Sequence, residues 1–133
     1  MGIDYGRGQI GIALSGPAGM MGFPHAVVPN TPNALDALRA LATKEQVEQI
    51  VLGVPKGSGS AEGLVEEIYA FGNALYEKTG LPVEYEDESF TTAEVLRDQN
   101  SGPRGERKDA QAAALILSRY LEKHADHRGV QEE

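Results

Sequence analysis

Residues 108–121 read KDAQAAALILSRYL, and the rest of the chain is organised around this stretch. Read as a helix, it carries its apolar side chains on one face. Asp109 lies three and four positions before Ala112 and Ala113, so it belongs to that face. A carboxylate on a buried face is costly unless something pairs with it. Asp109 could share a cation with other carboxylates, or it could be a partly exposed residue that the helix dipole favours in the first turn. The apolar face consists of Ala112, Ala113, Ile116, Leu117, Tyr120 and Leu121.

Composition limits the class of protein. The chain has 133 residues, of which 41% are hydrophobic, a length and content that predict one domain with a packed core. Cysteine is absent, which excludes a disulfide scaffold. No leader and no membrane-length apolar run are visible, so we expect a soluble, cytoplasmic protein with no membrane partner. The net charge of −8 argues against sequence-blind adhesion to nucleic acid, yet it suits a site that gathers carboxylates around a metal.

Hydrophobic periodicity predicts three strands, then alternating helices and strands, with the last helix at 108–121. The first three strands can form an antiparallel meander, and strands joined by helical crossovers should be parallel to the first. The predicted fold is therefore α/β, a mixed five-stranded sheet with helices on both faces. We expect one domain over 1–124 and a charged, disordered tail over 125–133. The predicted strands are 1–4, 9–15, 23–28, 47–54 and 81–86, with helices starting at Thr31-Pro32, at Ser60 and, briefly, at Thr91.

Carboxylates occur at two strand ends. Asp4 closes the first strand, and Asp87 and Glu88 follow the fifth. Two divalent ions about 4 Å apart can activate a water and stabilise the attacking and leaving oxygens of a phosphodiester. Mg²⁺ and Mn²⁺ prefer oxygen ligands, so Asp and Glu side chains suffice. The topology allows these strand ends to meet the final helix, whereas the alternatives are a turn role for Asp4 and a solvated strand face for Glu84 and Glu86.

Two loops could hold nucleic-acid phosphates. The glycine-rich loop after Val54 includes Gly57 and Ser58, whose backbone N–H groups could cradle a phosphate, although simple turn duty is the alternative. Four basic and two acidic residues give the segment 97–108 a charge of +2. A flexible basic loop beside a metal site would hold phosphates on either side of the scissile bond, and a solvated loop is the alternative. The basic residues are Arg97, Arg104, Arg107 and Lys108.

Four stretches, taken in order, resemble the YqgF (RuvX) family. They are GIDYG with IGIALS in 2–15, LGVP at 52–55, LPV at 81–83 leading to Asp87-Glu88, and KDAQAA at 108–113. The resemblance runs from about residue 2 to 122. It implies an RNase H-like fold and a two-metal-ion nuclease, a hydrolase of phosphodiester bonds that matures the 5′ end of pre-16S rRNA in ribosome biogenesis. The alternatives are a Holliday junction resolvase-like DNA endonuclease and a non-catalytic RNA-binding ribosome factor.

The resemblance also implies roles for the acidic residues. By carry-over, Asp4 and Asp109 are metal ligands, a third carboxylate comes from Asp87 or Glu88, and the cofactor is Mg²⁺ or Mn²⁺. Pre-rRNA is the expected partner and a DNA junction the alternative. The chain could act as a monomer or as a homodimer, which would suit two opposed cuts in a junction.

The chain departs from the family pattern outside these acidic positions. Gln9 stands where the family usually has a basic residue, Gly16 replaces a common Asp, and Ser89-Phe90 replaces an Arg-Leu pair. The first strand lacks the apolar residues that normally precede it, as expected if the start of the chain is missing. These departures leave open how the site positions its substrate and balances its charge.

Overall fold

The computed structural model describes residues 1–17, 19–55, 62–88 and 105–124, with the backbone alone at 105–108. Its elements follow the predicted order of three strands and then alternating helices and strands. The predicted short helix from Thr91, the cap at Ser60 and the tail over 125–133 lie outside the described residues, and the single domain over 1–124 stays a prediction. The elements are β1 (Gly2–Tyr5), β2 (Gln9–Ser15), β3 (Gly22–Pro29), α1 (Ala34–Lys44), β4 (Ile50–Pro55), α2 (Leu64–Thr79), β5 (Val83–Glu88) and α3 (Gly105–Lys123).

The five strands form one mixed sheet in the order β3-β2-β1-β4-β5. Short connections make β1, β2 and β3 antiparallel neighbours, whereas β4 is parallel to β1 and β5 is parallel to β4. Helical crossovers impose this parallel direction. The predicted topology is thus confirmed. Because β1, β4 and β5 run the same way, their carboxyl ends meet at one edge of the sheet.

Each face of the sheet carries its own core. On one face α1 and α2 cover large aliphatic side chains, including Ile3, Leu38, Leu52 and Leu75. On the other face α3 covers a core of smaller residues, and the apolar face predicted for 108–121 is confirmed. None of the described helices is long and apolar enough to cross a bilayer. The α3 core consists of Ala13, Val51, Ala113, Ala114, Ile116 and Leu117, with Tyr120 and Leu121 packed against it.

Helix α3 packs closely against the strands because several strand positions that face it are glycine. A β-carbon added at Gly2 would lie 2.7 Å from the β-carbon of Leu117 and 2.8 Å from the carbonyl oxygen of Ala113. One added at Gly22 would lie 2.8 Å from the carbonyl oxygen of Ala114. Real β-carbons do not approach other atoms so closely. At these two positions the helix therefore rests directly on the strand backbone, with no strand side chain between them.

Strand β4 begins at Ile50, so the predicted start at residue 47 is wrong. The backbone N–H of Val47 donates a 2.9 Å hydrogen bond to the carbonyl of Ala42, within α1. Gln46, just before it, has a positive φ of 56°. Val47, which its β-branched side chain assigns to the strand, therefore belongs to the hydrogen-bonded turn that ends α1.

Strand β5 spans Val83–Glu88 and not the predicted 81–86. Its parallel ladder with β4 continues to the pair between Pro55 and Glu88. Because β4 offers pairing partners that far, Asp87 and Glu88 lie within the strand and do not follow it. Their side chains consequently alternate between the two faces of the sheet.

Helix α1 begins at Ala34, later than the predicted start at Thr31-Pro32. Thr31 still caps the chain locally, since its side-chain oxygen accepts a 3.3 Å hydrogen bond from the backbone N–H of Asn33. This contact closes a turn before the helix. At the end of α2, Gly80 adopts a positive φ of 75° and terminates the helix, as predicted.

The amino group of Met1 is largely buried beside β4 and donates a 2.8 Å hydrogen bond to the carbonyl oxygen of Gln49. Burial disfavours the charged ammonium and lowers the pKa of this group from 8.0 to about 6. Between these two values the unfolded chain binds a proton that the folded chain has released. Raising the pH through this window therefore favours the folded state.

We expect the free energy of unfolding of a polypeptide that begins at Met1 to rise by up to about 2–3 kcal/mol between pH 6 and pH 8. Urea denaturation at both pH values measures the change. An N-terminally acetylated chain is the control, because it carries no titrating amine and should keep only the background pH dependence. Equal changes in the two chains would contradict the burial of this group.

Candidate active site

Asp4 is a buried carboxylate, 4% exposed, at the carboxyl end of β1. Side chains alternate between faces along a strand. Gly2 lies under α3, so Asp4, two residues later, faces α3 as well. Ile3 and Tyr5 belong to the core on the opposite face. The first predicted site residue therefore faces the helix that carries Asp109.

Glu88 and Asp87 face opposite sides of the sheet. The carboxylate of Glu86 lies 2.6 Å from the ammonium nitrogen of Lys123 on α3, which fixes the face of this position. Glu88 is two residues further along and faces α3 too, where it is only 6% exposed. Asp87 faces the other way and is exposed. Of the two candidates that the sequence left open, only Glu88 shares a face with Asp4.

A glycine lies between the strands of Asp4 and Glu88. Strand pairing aligns Ile3 with Leu52, so the next position of β1 aligns with Gly53 of β4. A β-carbon added at Gly53 would lie 3.5 Å from Oε2 of Glu88. The Glu88 carboxylate therefore extends over β4, from β5 towards β1. The space directly over Gly53 is taken by the side chain of Ile116 on α3, so the Glu88 carboxylate lies beside Ile116 at this position.

A second glycine lies between Asp4 and the start of α3. Asp4 pairs with Gly11 of β2, so both positions face α3. A β-carbon added at Gly11 would collide with the main-chain carbonyl of Asp109. Asp109 itself is half-buried. Asp4 thus has a glycine on each neighbouring strand. Gly11 on β2 lies beneath the Asp109 backbone, and Gly53 on β4 lies beside the Glu88 carboxylate.

These three carboxylates fit a hard divalent cation in chemistry. They offer oxygen donors only, as Mg²⁺ and Mn²⁺ prefer, and two of them are buried on one face. Over 1–17, 19–55, 62–88 and 109–124, no three acidic, histidine or cysteine side chains form a group that could hold a metal as they stand. Carboxylates repel each other without a cation. A bound ion would have to draw Asp4, Glu88 and Asp109 together.

Comparison with known proteins shows which family this chain belongs to. A family model described as "RuvX: Holliday junction resolvase" matches residues 1–123. The chain belongs to the RuvX family. Relatives from Streptococcus thermophilus (strain CNRZ 1066) and Streptococcus suis (strain 05ZYH33), both named "Putative pre-16S rRNA nuclease", are 36% and 35% identical to it. Each alignment covers 92% of this chain and 96% of the relative, so the resemblance seen in the sequence is confirmed.

Solved structures show the same fold. Thermus thermophilus RuvC in complex with a Holliday junction substrate matches with a TM-score of 0.56 and 14% identity over 94% of both chains. At this identity the likeness speaks for the fold alone, and it confirms the predicted RNase H-like class. The family and its named relatives support the predicted enzyme class, a hydrolase of phosphodiester bonds.

Glu86 corrects one expectation for this RuvX-family chain. Glu84 is exposed as expected of a solvated strand face, but Glu86 is only 4% exposed. Its Oε2 lies 2.6 Å from Nζ of Lys123, yet Oε2 makes no aligned hydrogen bond. The contact is an ion pair, because two opposite charges this close attract each other without an aligned hydrogen bond. The signal in the sequence was that Glu86 and Glu88 are two positions apart on one strand, a spacing that puts both side chains on the same face of the sheet.

The predicted phosphate-binding loops lie mostly outside the described residues. Gly57, Ser58, Arg97 and Arg104 fall there, and for Arg107 and Lys108 only the backbone, in the first turns of α3, is described. Their roles therefore stay predictions.

Arg7 is a charged residue that sequence reasoning passed over as part of a turn. Its Nε and Nη2 donate to Oε2 of Glu67 at 2.9 and 2.5 Å, and Nη2 also donates to the carbonyl of Glu62 at 2.7 Å. Hydrogen bonding from Arg7 holds the pKa of the Glu67 carboxyl below its ordinary value. The same bond raises the pKa of Arg7. The only signal in the sequence was its position three residues after Asp4.

Close packing at Gly11 gives a direct test of the site's geometry. We expect Gly11→Ala to destabilise the protein by about 1–3 kcal/mol, because the new methyl group must push the Asp109 backbone off β2. Gly8→Ala is the matched control, since nothing lies within 4 Å of a β-carbon there. Urea denaturation of both variants measures the difference. If Gly11→Ala is as stable as Gly8→Ala, Asp109 does not lie where the structure has it.

Proposed function

We propose that this chain is a divalent-metal-dependent nuclease that hydrolyses phosphodiester bonds during 5′-end maturation of pre-16S rRNA. The observation that carries the proposal is that Asp4 and Glu88 are both buried on the face covered by α3, at the edge where the parallel strands end, and that the Asp109 backbone lies directly over Gly11 beside Asp4. The names of the relatives support the choice of substrate. Such a substrate would make the chain a cytoplasmic factor of ribosome biogenesis with RNA as its partner.

The three carboxylates would hold Mg²⁺ or Mn²⁺. A bound divalent ion supplies activation of water and neutralises the charge that develops on the phosphate oxygens, and a pair of ions would serve both sides of the cleaved bond. Asp4 would contribute the central ligand, because its strand β1 lies between β2, which contacts the Asp109 backbone, and β5, which carries Glu88. Burial of Asp4 and Glu88 keeps their carboxylates oriented and limits competition from water.

The sheet itself would preorganise this site. Asp4 and Glu88 are carried by hydrogen-bonded strands, which hold side-chain origins more rigidly than loops do. Glycine at position 11 lets the Asp109 backbone lie directly on β2, and glycine at position 53 leaves room for the Ile116 side chain with the Glu88 carboxylate beside it. Asp87 has no place in this arrangement, because it faces the opposite side of β5. We therefore assign the third ligand to Glu88.

A second candidate is cleavage of branched DNA. The description of the matching family model and the likeness to RuvC both favour it. The carboxylate chemistry would be the same, since DNA and RNA present the same phosphodiester. Junction resolution cuts two opposed strands and so favours a symmetric homodimer, whereas trimming an RNA end can be done by a monomer. Substrate preference and oligomeric state therefore separate the two candidates.

A substrate panel tests the choice between them. We expect Mn²⁺-dependent cleavage of RNA carrying the pre-16S 5′ leader and weaker or no cleavage of a four-way DNA junction, with a chelator abolishing both. Sedimentation analysis of the same protein reports its oligomeric state. Preferential cutting of the junction by a dimer would favour the second candidate, and chelator-resistant cleavage would contradict metal dependence.

Substitution of the carboxylates tests the site. We expect Asp4→Asn, Glu88→Gln and Asp109→Asn each to lower Mn²⁺-dependent cleavage by about 10³-fold or more, because metal-ion stabilisation is worth several kcal/mol. Asp87→Asn is the matched control and should cleave like the wild type. Mn²⁺ should also raise the melting temperature of the wild type and the control more than that of the three variants, since an ion that binds the folded state stabilises it. Unchanged cleavage by Asp4→Asn would reject the assignment.

A further inference from the structure

The turn between β1 and β2 is held independently of the Arg7 side chain. This turn, residues 6–8, begins two residues after Asp4, at the same edge of the sheet. The side-chain amide of Asn30 donates a 2.8 Å hydrogen bond to the carbonyl of Gly6, and the backbone N–H of Asn30 donates a 3.0 Å bond to the carbonyl of Gly8. The backbone of the turn is thus tied to the end of β3. Changing the Arg7 side chain leaves these bonds intact.

The guanidinium of Arg7 is oriented and still accessible. Glu67 and the carbonyl of Glu62 accept hydrogen bonds from Nε and Nη2. The two N–H groups of Nη1 donate to no residue in the described part of the chain. The Arg7 side chain is 48% exposed and that of Glu67 is 40% exposed. An oriented cation with unused donors is therefore presented to solvent at the edge that carries Asp4.

An exposed ion pair such as this can exchange partners at low cost. Water and salt screen the attraction, so the pair between Arg7 and Glu67 contributes little to stability. Phosphate offers a guanidinium the same paired oxygen geometry as a carboxylate, with more negative charge. Tyr5 donates a 3.2 Å hydrogen bond to the other carboxylate oxygen of Glu67. That bond keeps Glu67 in place when the guanidinium turns to another acceptor.

We propose that Arg7 contacts a phosphate of the nucleic-acid strand next to the scissile bond, and that Glu67 orients the guanidinium while competing with that phosphate. The proposal rests on the proposed nuclease function. A chain of net charge −8 that gathers carboxylates at its site needs a local cation to receive a polyanion. Arg7 meets this need from a braced turn three residues from Asp4. Its partner Glu67 lies on the side of the sheet covered by α1 and α2, so the bound strand would cross the edge of the sheet between Asp4 and Arg7. The alternative is a purely structural role, in which the pair only fastens the turn to α2.

Steady-state cleavage of labelled pre-16S leader RNA with Mn²⁺, at several salt concentrations, separates these roles. We expect Arg7→Gln to raise KM about 10-fold with little change in kcat, because a charge-assisted contact made equally in substrate and transition state is lost. The slope of log KM against log salt should fall by about one, the contribution of one phosphate contact. Arg7→Lys should keep most of the salt slope and lose part of the affinity. Glu67→Gln should bind at least as tightly as the wild type, because the competing charge is gone.

Lys78→Gln is the matched control. Lys78 also belongs to an exposed ion pair, with Asp36 at 2.5 Å, so its loss changes net charge equally without touching the turn. It should leave KM and the salt slope unchanged. A structural role predicts that Arg7→Gln and Glu67→Gln weaken the enzyme in the same direction, and that result would overturn the inference. So would an Arg7→Gln variant with the KM and salt slope of the wild type. Absence of cleavage by the wild type itself would instead reject the proposed function.

Discussion

The direct contact between the backbone of α3 and the backbones of the strands is the constraint on which the rest of the structure depends. Gly2, Gly11 and Gly22 allow it, because a β-carbon at any of them would meet an atom of α3 or its backbone. The opposite face needs no such accommodation, since large aliphatic side chains there separate the sheet from α1 and α2. The two faces thus differ in depth. The shallow face is the one that carries the carboxylates.

This difference in depth connects the packing to the chemistry. On a face filled by large side chains, carboxylates on separate strands would be isolated from each other by the core. On the α3 face, glycine at position 53 makes room for the Ile116 side chain with Oε2 of Glu88 beside it, and glycine at position 11 lets the Asp109 backbone lie beside the strand of Asp4. The residues that permit tight helix packing are therefore the same residues that permit a shared site. Loss of either glycine would affect stability and site geometry together.

Sequence periodicity was sufficient for the architecture, because helix and strand periods assign faces directly. The metal-binding roles of Asp4 and Asp109 stay predictions. Periodicity could not choose between Asp87 and Glu88. That choice depends on where β5 starts in its ladder with β4, and a shift of one residue reverses every side chain. The ion pair of the buried Glu86 carboxylate with the exposed Lys123 was missed as well, because Lys123 is distant along the chain.

Charge completes the physical account of the site. Carboxylates collected on one face repel each other, and a nucleic-acid strand adds further negative charge to a chain of net −8. Divalent cations between Asp4, Glu88 and Asp109 would offset the first repulsion, and a nearby side-chain cation would offset the second. Arg7 is already oriented by Glu67, so ordering its long side chain costs little more when a phosphate arrives. An acidic partner on an exposed arginine thus has two opposed effects. It reduces the binding free energy of the phosphate contact, because it competes for the guanidinium, and it reduces the side-chain entropy lost when that contact forms.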